Sequence, residues 1–135
     1  MSFYLIHDLA KKTQLSTDTI RFYEKKQFIQ PSFRAENHYR YYDDETLKRL
    51  VFIKHCRSLD ISLADIQTLL LLSTHPEENC HSIDIFIEQH IAKINQKISE
   101  LQTLEKQLQI LRSSCSPHQR IEDCQILKNL EEKEL

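Results

Sequence analysis

A mainly α-helical fold is predicted for this chain by three observations. None of its 135 residues is glycine, so the residue that most readily breaks a helix or turns the backbone is absent. Only Pro31, Pro76 and Pro117 punctuate the sequence, each beside polar residues. Isoleucine and leucine recur at helical intervals through much of the second half. The prolines divide the chain into a first region, residues 1–72, a link at 73–82 (STHPEENCHS), a long helix at 83–112 and a tail at 113–135 ending in a short helix.

The first region opens with LIHDLAKKTQLSTDTIRFYEKKQF, which reads as two short helices around a tight turn. Ile6, Leu9, Ala10 and Leu15 line one side of the first, and Ser16 or Thr17 can cap the second, which is marked by Ile20 and Phe22 or Tyr23. This is helix-turn-helix spacing, shared with any αα-hairpin that has a small residue at its crossing. FIQPSFRAENHYRYYDDE follows, with Arg34, His38 and Arg40 set among Phe33, Tyr39, Tyr41 and Tyr42. Aromatic residues alternating with basic ones suit a two-stranded wing lying along a phosphate backbone. At its tip Asn37 is the expected residue with positive φ, because asparagine tolerates that geometry when glycine is absent.

DDETLKRLVFIKHCRSLD then begins with Asp43 or Asp44 as cap and has Leu47, Leu50, Val51, Lys54 and Leu59 near helical spacing. A further helix starts at SLAD, where Ser62 and Asp65 form a capping box. Residues 1–72 therefore make a winged helix-turn-helix domain with one small core.

In the long helix, Ile87, Ile91, Ile94, Ile98, Leu101, Leu104, Leu108 and Leu111 step by 4, 3, 4, 3, 3, 4 and 3, close to a heptad seam. A narrow apolar stripe on so long a helix calls for a partner, and self-association is expected over packing against the chain's own core. Charge is divided as well. Residues 1–57 carry eleven Lys and Arg against seven Asp and Glu, a net +4, while the remainder carries seven against thirteen, a net −6. The first half is the one suited to a polyanion.

Four cysteines stand at 56, 80, 115 and 124. No apolar run approaches the roughly 18 residues of a membrane span, and MSFYLIHDLAKK lacks the features of a signal peptide. A cytoplasmic setting follows, in which thiols stay reduced, buried or ligating. Cys56, inside a helix, is expected to be a packing residue. Cys80, Cys115 and Cys124 lie in polar segments at the two ends of the long helix, and thiolates there suit a soft or borderline metal. Thirty helical residues span about 45 Å, so Cys80 cannot meet Cys115 within one chain. Antiparallel pairing would bring it beside Cys115 and Cys124 of a second copy, giving two three-thiolate sites per dimer. His118 or Asp123 could add a fourth ligand, and His81 is placed to assist Cys80.

These segments together resemble the mercury-responsive (MerR) family of bacterial transcription regulators. IHDLAKKTQLSTDTIRFYEKK matches its helix-turn-helix, and NHYRYYDDETLKRLVFIKHCRSLDISLADIQTLL its wing and following helices. HCRSLDISLADI, the cysteine after HPEEN and the ending EDCQILKNLE are most similar to the cadmium- and lead-responsive branch, with the zinc-responsive branch close by. The resemblance implies a homodimer, its long helices forming an antiparallel coiled coil, on a palindromic operator in double-stranded promoter DNA; on binding a divalent ion (Zn, Cd or Pb) it distorts the DNA so that RNA polymerase can engage it and transcribe efflux or resistance genes. It places DNA contacts at Thr17, Thr19, Arg21 and Tyr23 in the second helix and at Arg34, Tyr39 and Arg40 in the wing. Family members that sense monovalent ions typically have serine where Cys80 stands, which points this chain to divalent ones. Two departures stand out: Asn37 and His38 occupy the usual wing glycine and asparagine positions, and TIRFYE replaces TIRYYE.

Two other classes compete with this reading. A thiol redox regulator would close a reversible Cys115–Cys124 disulfide and leave Cys80 unused; an architectural DNA-binding protein would have no effector. An enzyme is not expected, since no phosphate-cradling loop can form without glycine and no nucleophile, base and orienting acid can be assigned together.

Overall fold

The structure, a computed structural model, describes residues 2–132; the last three positions of the expected tail, 133–135, lie outside the described residues. Contacts group the chain into two units, Met1–Ile83 and Asp84–Leu135. In chain order the elements are β1 (Phe3–Tyr4), α1 (Ile6–Thr13), α2 (Thr17–Lys25), β2 (Phe33–Arg34), β3 (Arg40–Asp43), α3 (Asp44–Ser58), α4 (Leu63–Leu72), α5 (His81–Ser113), a 3₁₀ turn (Ile121–Asp123) and α6 (Gln125–Glu131).

Helix boundaries in the first unit follow from side-chain caps. Asp43 Oδ1 accepts from the Thr46 amide at 3.0 Å to start α3, and Ser16 Oγ accepts from Thr19 at 3.0 Å to start α2. Ser62 Oγ accepts from Asp65 at 3.1 Å to start α4. The helix ends solve the absence of glycine in another way. Gln27 at φ 66° and Asp60 at φ 62° take the left-handed position. The Phe28 amide then reaches Tyr23 O at 2.9 Å and the Ile61 amide reaches Cys56 O at 3.1 Å. Each is a Schellman closure, which calls for an apolar pair beside the bond. Tyr23 and Phe28 form the first, with ring centroids 6.0 Å apart, and buried Cys56 and Ile61 form the second. Cys56 is thus a packing residue, as expected.

The core of this unit joins Leu9 of α1, Ile20 and Tyr23 of α2, Tyr42 of β3, Leu50 and Ile53 of α3, and Ile66 and Leu69 of α4, all buried. Tyr23, not Phe22, is the inward aromatic of α2. On α3 the inward face is Thr46, Leu50, Ile53 and Cys56, so Leu59, expected on that stripe, is 63% exposed beyond the helix end. Lys54 is half-buried, its ammonium donating to Thr13 O at 2.6 Å and so capping α1. The wing has one strand more than the sequence showed. β3 pairs antiparallel with β2 (Phe33 opposite Tyr41) and also with β1 (Tyr4 opposite Tyr42), giving the order β1-β3-β2.

In the second unit α5 runs without a break, and no residue of it is buried. Its apolar seam faces outward, with Leu101, Leu104 and Leu108 each more than half exposed. After α5 the tail doubles back: Asn129 Nδ2 donates to Ser114 Oγ at 3.3 Å, tying α6 to the helix end. Among the described residues no helix is long and apolar enough to cross a membrane.

Candidate functional site

The helix-turn-helix turns at Gln14, left-handed at φ 60°, and Ser16 then launches α2. Thr17 and Thr19 are half-buried at its start, and Thr19 Oγ1 lies 2.8 Å from Ser16 Oγ. Arg21 is exposed one turn later, leaning toward Asp18 at 3.4 Å. Tyr23 is 7% exposed and holds α2 from within the core.

The wing tip departs from the sequence expectation. His38, not Asn37, has positive φ (65°). The His38 amide donates to Ala35 O at 2.9 Å, closing a turn whose central residues are Glu36 and Asn37, and Ala35 N donates to Tyr39 O at 3.0 Å. In such a three-residue hairpin loop the left-handed residue is the one after the turn's central pair, which is His38. Asn37 instead accepts from the Tyr39 amide at 3.1 Å.

Arg34 and Arg40 face each other across β2 and β3, an arrangement that like charges oppose. Arg40 is drawn the other way, into an ion pair with Glu24 near the end of α2. The other carboxylate oxygen of Glu24 accepts from the Tyr42 hydroxyl at 2.6 Å. Burial, and then this bond, push the Tyr42 phenol up to about 12. Glu24 therefore joins helix to wing, a role the spacing argument passed over because the residue sits among lysines on a solvent-side turn. Between α1, α2 and the wing lies an open cleft of about 630 Å³, floored by Leu5, Ile6 and Tyr42 and lined by His7, Arg21, His38, Tyr39 and Arg40. Three of the seven residues expected to touch DNA meet in it.

The thiols divide as well. Cys56 is buried, which pushes its thiol up. Cys80 is exposed just before α5, whose first residue, His81, has its amide capped by Asn79 Oδ1 at 3.0 Å. The structure brings Cys115 and Cys124 together, Sγ to Sγ 3.9 Å. Cys115 Sγ also lies 3.2 Å from Gln119 Oε1. The Leu127 amide at the start of α6 holds the Cys124 thiol below the usual cysteine range against the opposing effect of desolvation, helped by Cys115, the Ile126 amide and Lys128. His118 and Asp123 are exposed in the intervening loop. Among the described residues, no three His, Cys, Asp or Glu side chains group closely enough to hold a metal.

The pair itself fits a thiophilic ion. Two thiolates at about 2.3 Å from a tetrahedral zinc stand about 3.8 Å apart, close to the observed 3.9 Å. A covalent S–S bond is about 2.05 Å.

Residues 4–72 match the family described as MerR HTH family regulatory protein, and residues 47–111 match the family described as MerR, DNA binding. The chain belongs to the MerR family. A probable heavy metal-dependent transcriptional regulator of Haemophilus influenzae is 40% identical over 93% of this chain and 97% of its own length. The regulator ZntR of Escherichia coli is 36% identical over 96% and 93%. Among solved structures, the transcription regulator PbrR691 from Ralstonia metallidurans, in complex with lead(II), is 37% identical, covers 94% of this chain and 98% of its own, and superposes with a TM-score of 0.81. This MerR-family chain is accordingly a DNA-binding transcriptional regulator and not an enzyme.

Proposed function

We propose that the chain works in the cytoplasm as a homodimeric, metal-responsive activator, binding a palindromic promoter operator and switching on efflux or resistance genes when a divalent soft ion (zinc, cadmium or lead) binds. The observation that carries this reading is the Cys115–Cys124 pair, set at a separation compatible with two ligands on one tetrahedral ion and without a third ligand grouped beside it among the described residues. Cys80 of a second copy is the missing thiolate, and the exposed seam of α5 is the surface that would bring the copies together. His118, Asp123 and His81 are the further donors within reach in sequence.

On the DNA side, Thr17, Thr19 and Arg21 of α2 and Arg34, Tyr39 and Arg40 of the wing meet the operator, with Tyr23 fixing the angle of α2 from the core. Metal binding draws protons from the thiols and favours one of two dimer states. The states differ in the DNA shape they hold, so that a distorted promoter becomes usable by RNA polymerase. Relatives named as heavy metal-dependent and as bound to lead(II) support the metal reading, whereas a Cys115–Cys124 disulfide would leave Cys80 without a role.

The test is a competition titration of zinc, cadmium and lead against a chromophoric chelator, joined to X-ray absorption sulfur counting and promoter-dependent transcription in vitro. Sub-micromolar binding with three sulfurs, falling to two in Cys80→Ser together with loss of activation, is expected. No tight binding, or a Cys80→Ser variant that still responds, would overturn the proposal.

A further inference from the structure

The cleft between α1, α2 and the wing contains two histidines, of which the sequence set His38 among the basic residues of the wing and gave His7 no part. His7 reaches it from the first turn of α1 and His38 from the wing tip, facing Arg21 and Arg40. Four side chains that are cationic, or become so on protonation, thus converge from three elements on one opening, which Tyr39 also lines. His7 is 68% exposed as a side chain, and its Nε2 lies 3.6 Å from Asp8 Oδ1. Asp8 is partly committed to its own helix, its other oxygen accepting from the Leu5 amide at 3.1 Å. Glu24, the acid nearest the wing side, is held by Arg40 and Tyr42.

We infer that His7 and His38 are further phosphate-binding residues of the DNA interface, and that they make DNA affinity rise as pH falls through the range in which imidazole protonates. The inference rests on the DNA-binding reading above and adds to it the residues and a dependence on acidity. The charged and titratable groups facing the two imidazoles are Asp8 from α1, Arg21 with Asp18 beside it from α2, and Arg40, Tyr39 and Tyr42 from the wing. A phosphate entering the cleft adds negative charge beside all four groups, so the bound state takes up protons that the free state does not hold. Each imidazolium that meets a phosphate also displaces counterions, steepening the salt dependence of log K by about 0.9.

The test uses the full chain, free of metal because thiol ligation is itself pH-dependent. Its binding to a fluorescent mixed-sequence DNA duplex is followed by anisotropy at about pH 6 and about pH 8 over a salt series. Phosphate contacts are sequence-independent, so no particular operator is required. The wild type should bind roughly tenfold more tightly at the lower pH, with a steeper salt slope. A His7→Gln, His38→Gly double variant should lose most of both differences. Glycine suits the left-handed position of residue 38, and His38→Asn is the second variant should the wing loosen. A double variant as pH-dependent as the wild type, alongside an Arg21→Ala variant that weakens binding at both pH values, overturns this inference and leaves the DNA reading standing. A wild type that binds duplex at neither pH overturns both.

Discussion

Replacing Tyr42 with phenylalanine separates packing from the bond that joins wing to recognition helix. The ring is 1% exposed, so keeping it avoids a cavity. What is lost is the 2.6 Å bond from its hydroxyl to Glu24. A hydrogen bond to a charged group contributes about 1.5–3 kcal/mol, and the lower end applies because Glu24 keeps Arg40 as a partner. The same surroundings make this stability depend on pH. Burial first, and Glu24 second, push the phenol up to about 12 from its ordinary value near 10. The fold therefore favours the neutral hydroxyl, so this stability is complete below the unfolded pKa near 10 and is lost as pH rises toward about 12. Two pKa units set about 2.7 kcal/mol as the upper bound on the stability lost across that window, reduced because solvent screens the part-buried hydroxyl, and most of it reflects the burial penalty on the ionised form. Urea unfolding of Tyr42→Phe, at fixed protomer concentration and with reductant, should show a deficit of about 1.5 kcal/mol at neutral pH. That deficit should shrink as pH rises from 10 toward 12, because only the wild type has the group to lose. A deficit constant across this range would refute the assignment of the bond as the source of the stability.

Cys124 should be alkylated by iodoacetamide at neutral pH at least about tenfold faster than Cys56, since the Leu127 amide favours the Cys124 thiolate while burial disfavours that of Cys56; peptide mass mapping reads both, and equal labelling would contradict the environments described. Leu50→Ala, at a fully buried position, should cost about 2–5 kcal/mol in thermal or urea unfolding, and a loss under about 1 kcal/mol would remove Leu50 from the core. Leu108→Glu alters a side chain 65% exposed in the single chain, so it should be nearly silent unless the seam is covered by a second copy. Light scattering should then show monomer at micromolar concentration, and an unchanged dimer would rule that seam out.

Local chemistry made much of the first unit legible. Ser16, Asp43 and Ser62 cap the helices that the sequence assigned to them, although the boundary choices between Ser16 and Thr17 and between Asp43 and Asp44 needed coordinates. The capping box expected at Ser62 and Asp65 is seen in its Ser62 half. Strand β1 escaped notice because two residues carry no alternation; what makes it a strand is pairing with β3, some forty positions away. The residue at φ > 0 in the wing was misplaced by one because residue preference favoured Asn37, whereas the loop's hydrogen bonds decide position. Leu59 stands near helical spacing with Leu47, Leu50, Val51 and Lys54, yet α3 ends at Ser58 and the stripe ends with it. At the site, the thiols were legible from their location at helix ends. The part played by Glu24 was not, since it depends on two partners, Arg40 and Tyr42, supplied by the wing.

Among the described residues the lack of glycine leaves four, Gln14, Gln27, His38 and Asp60, in the left-handed region. Each carries a Cβ that costs about 1–2 kcal/mol there, while the glycine that would relieve it costs roughly 0.5–1 kcal/mol in extra freedom of the unfolded chain. The two nearly cancel, with a small surplus on the side of relief. Gln14, Gln27 and Asp60 lie outside the set lining the cleft. They are thus three separate adjustment points at which an engineer could raise the melting temperature of this regulator by single substitutions to glycine.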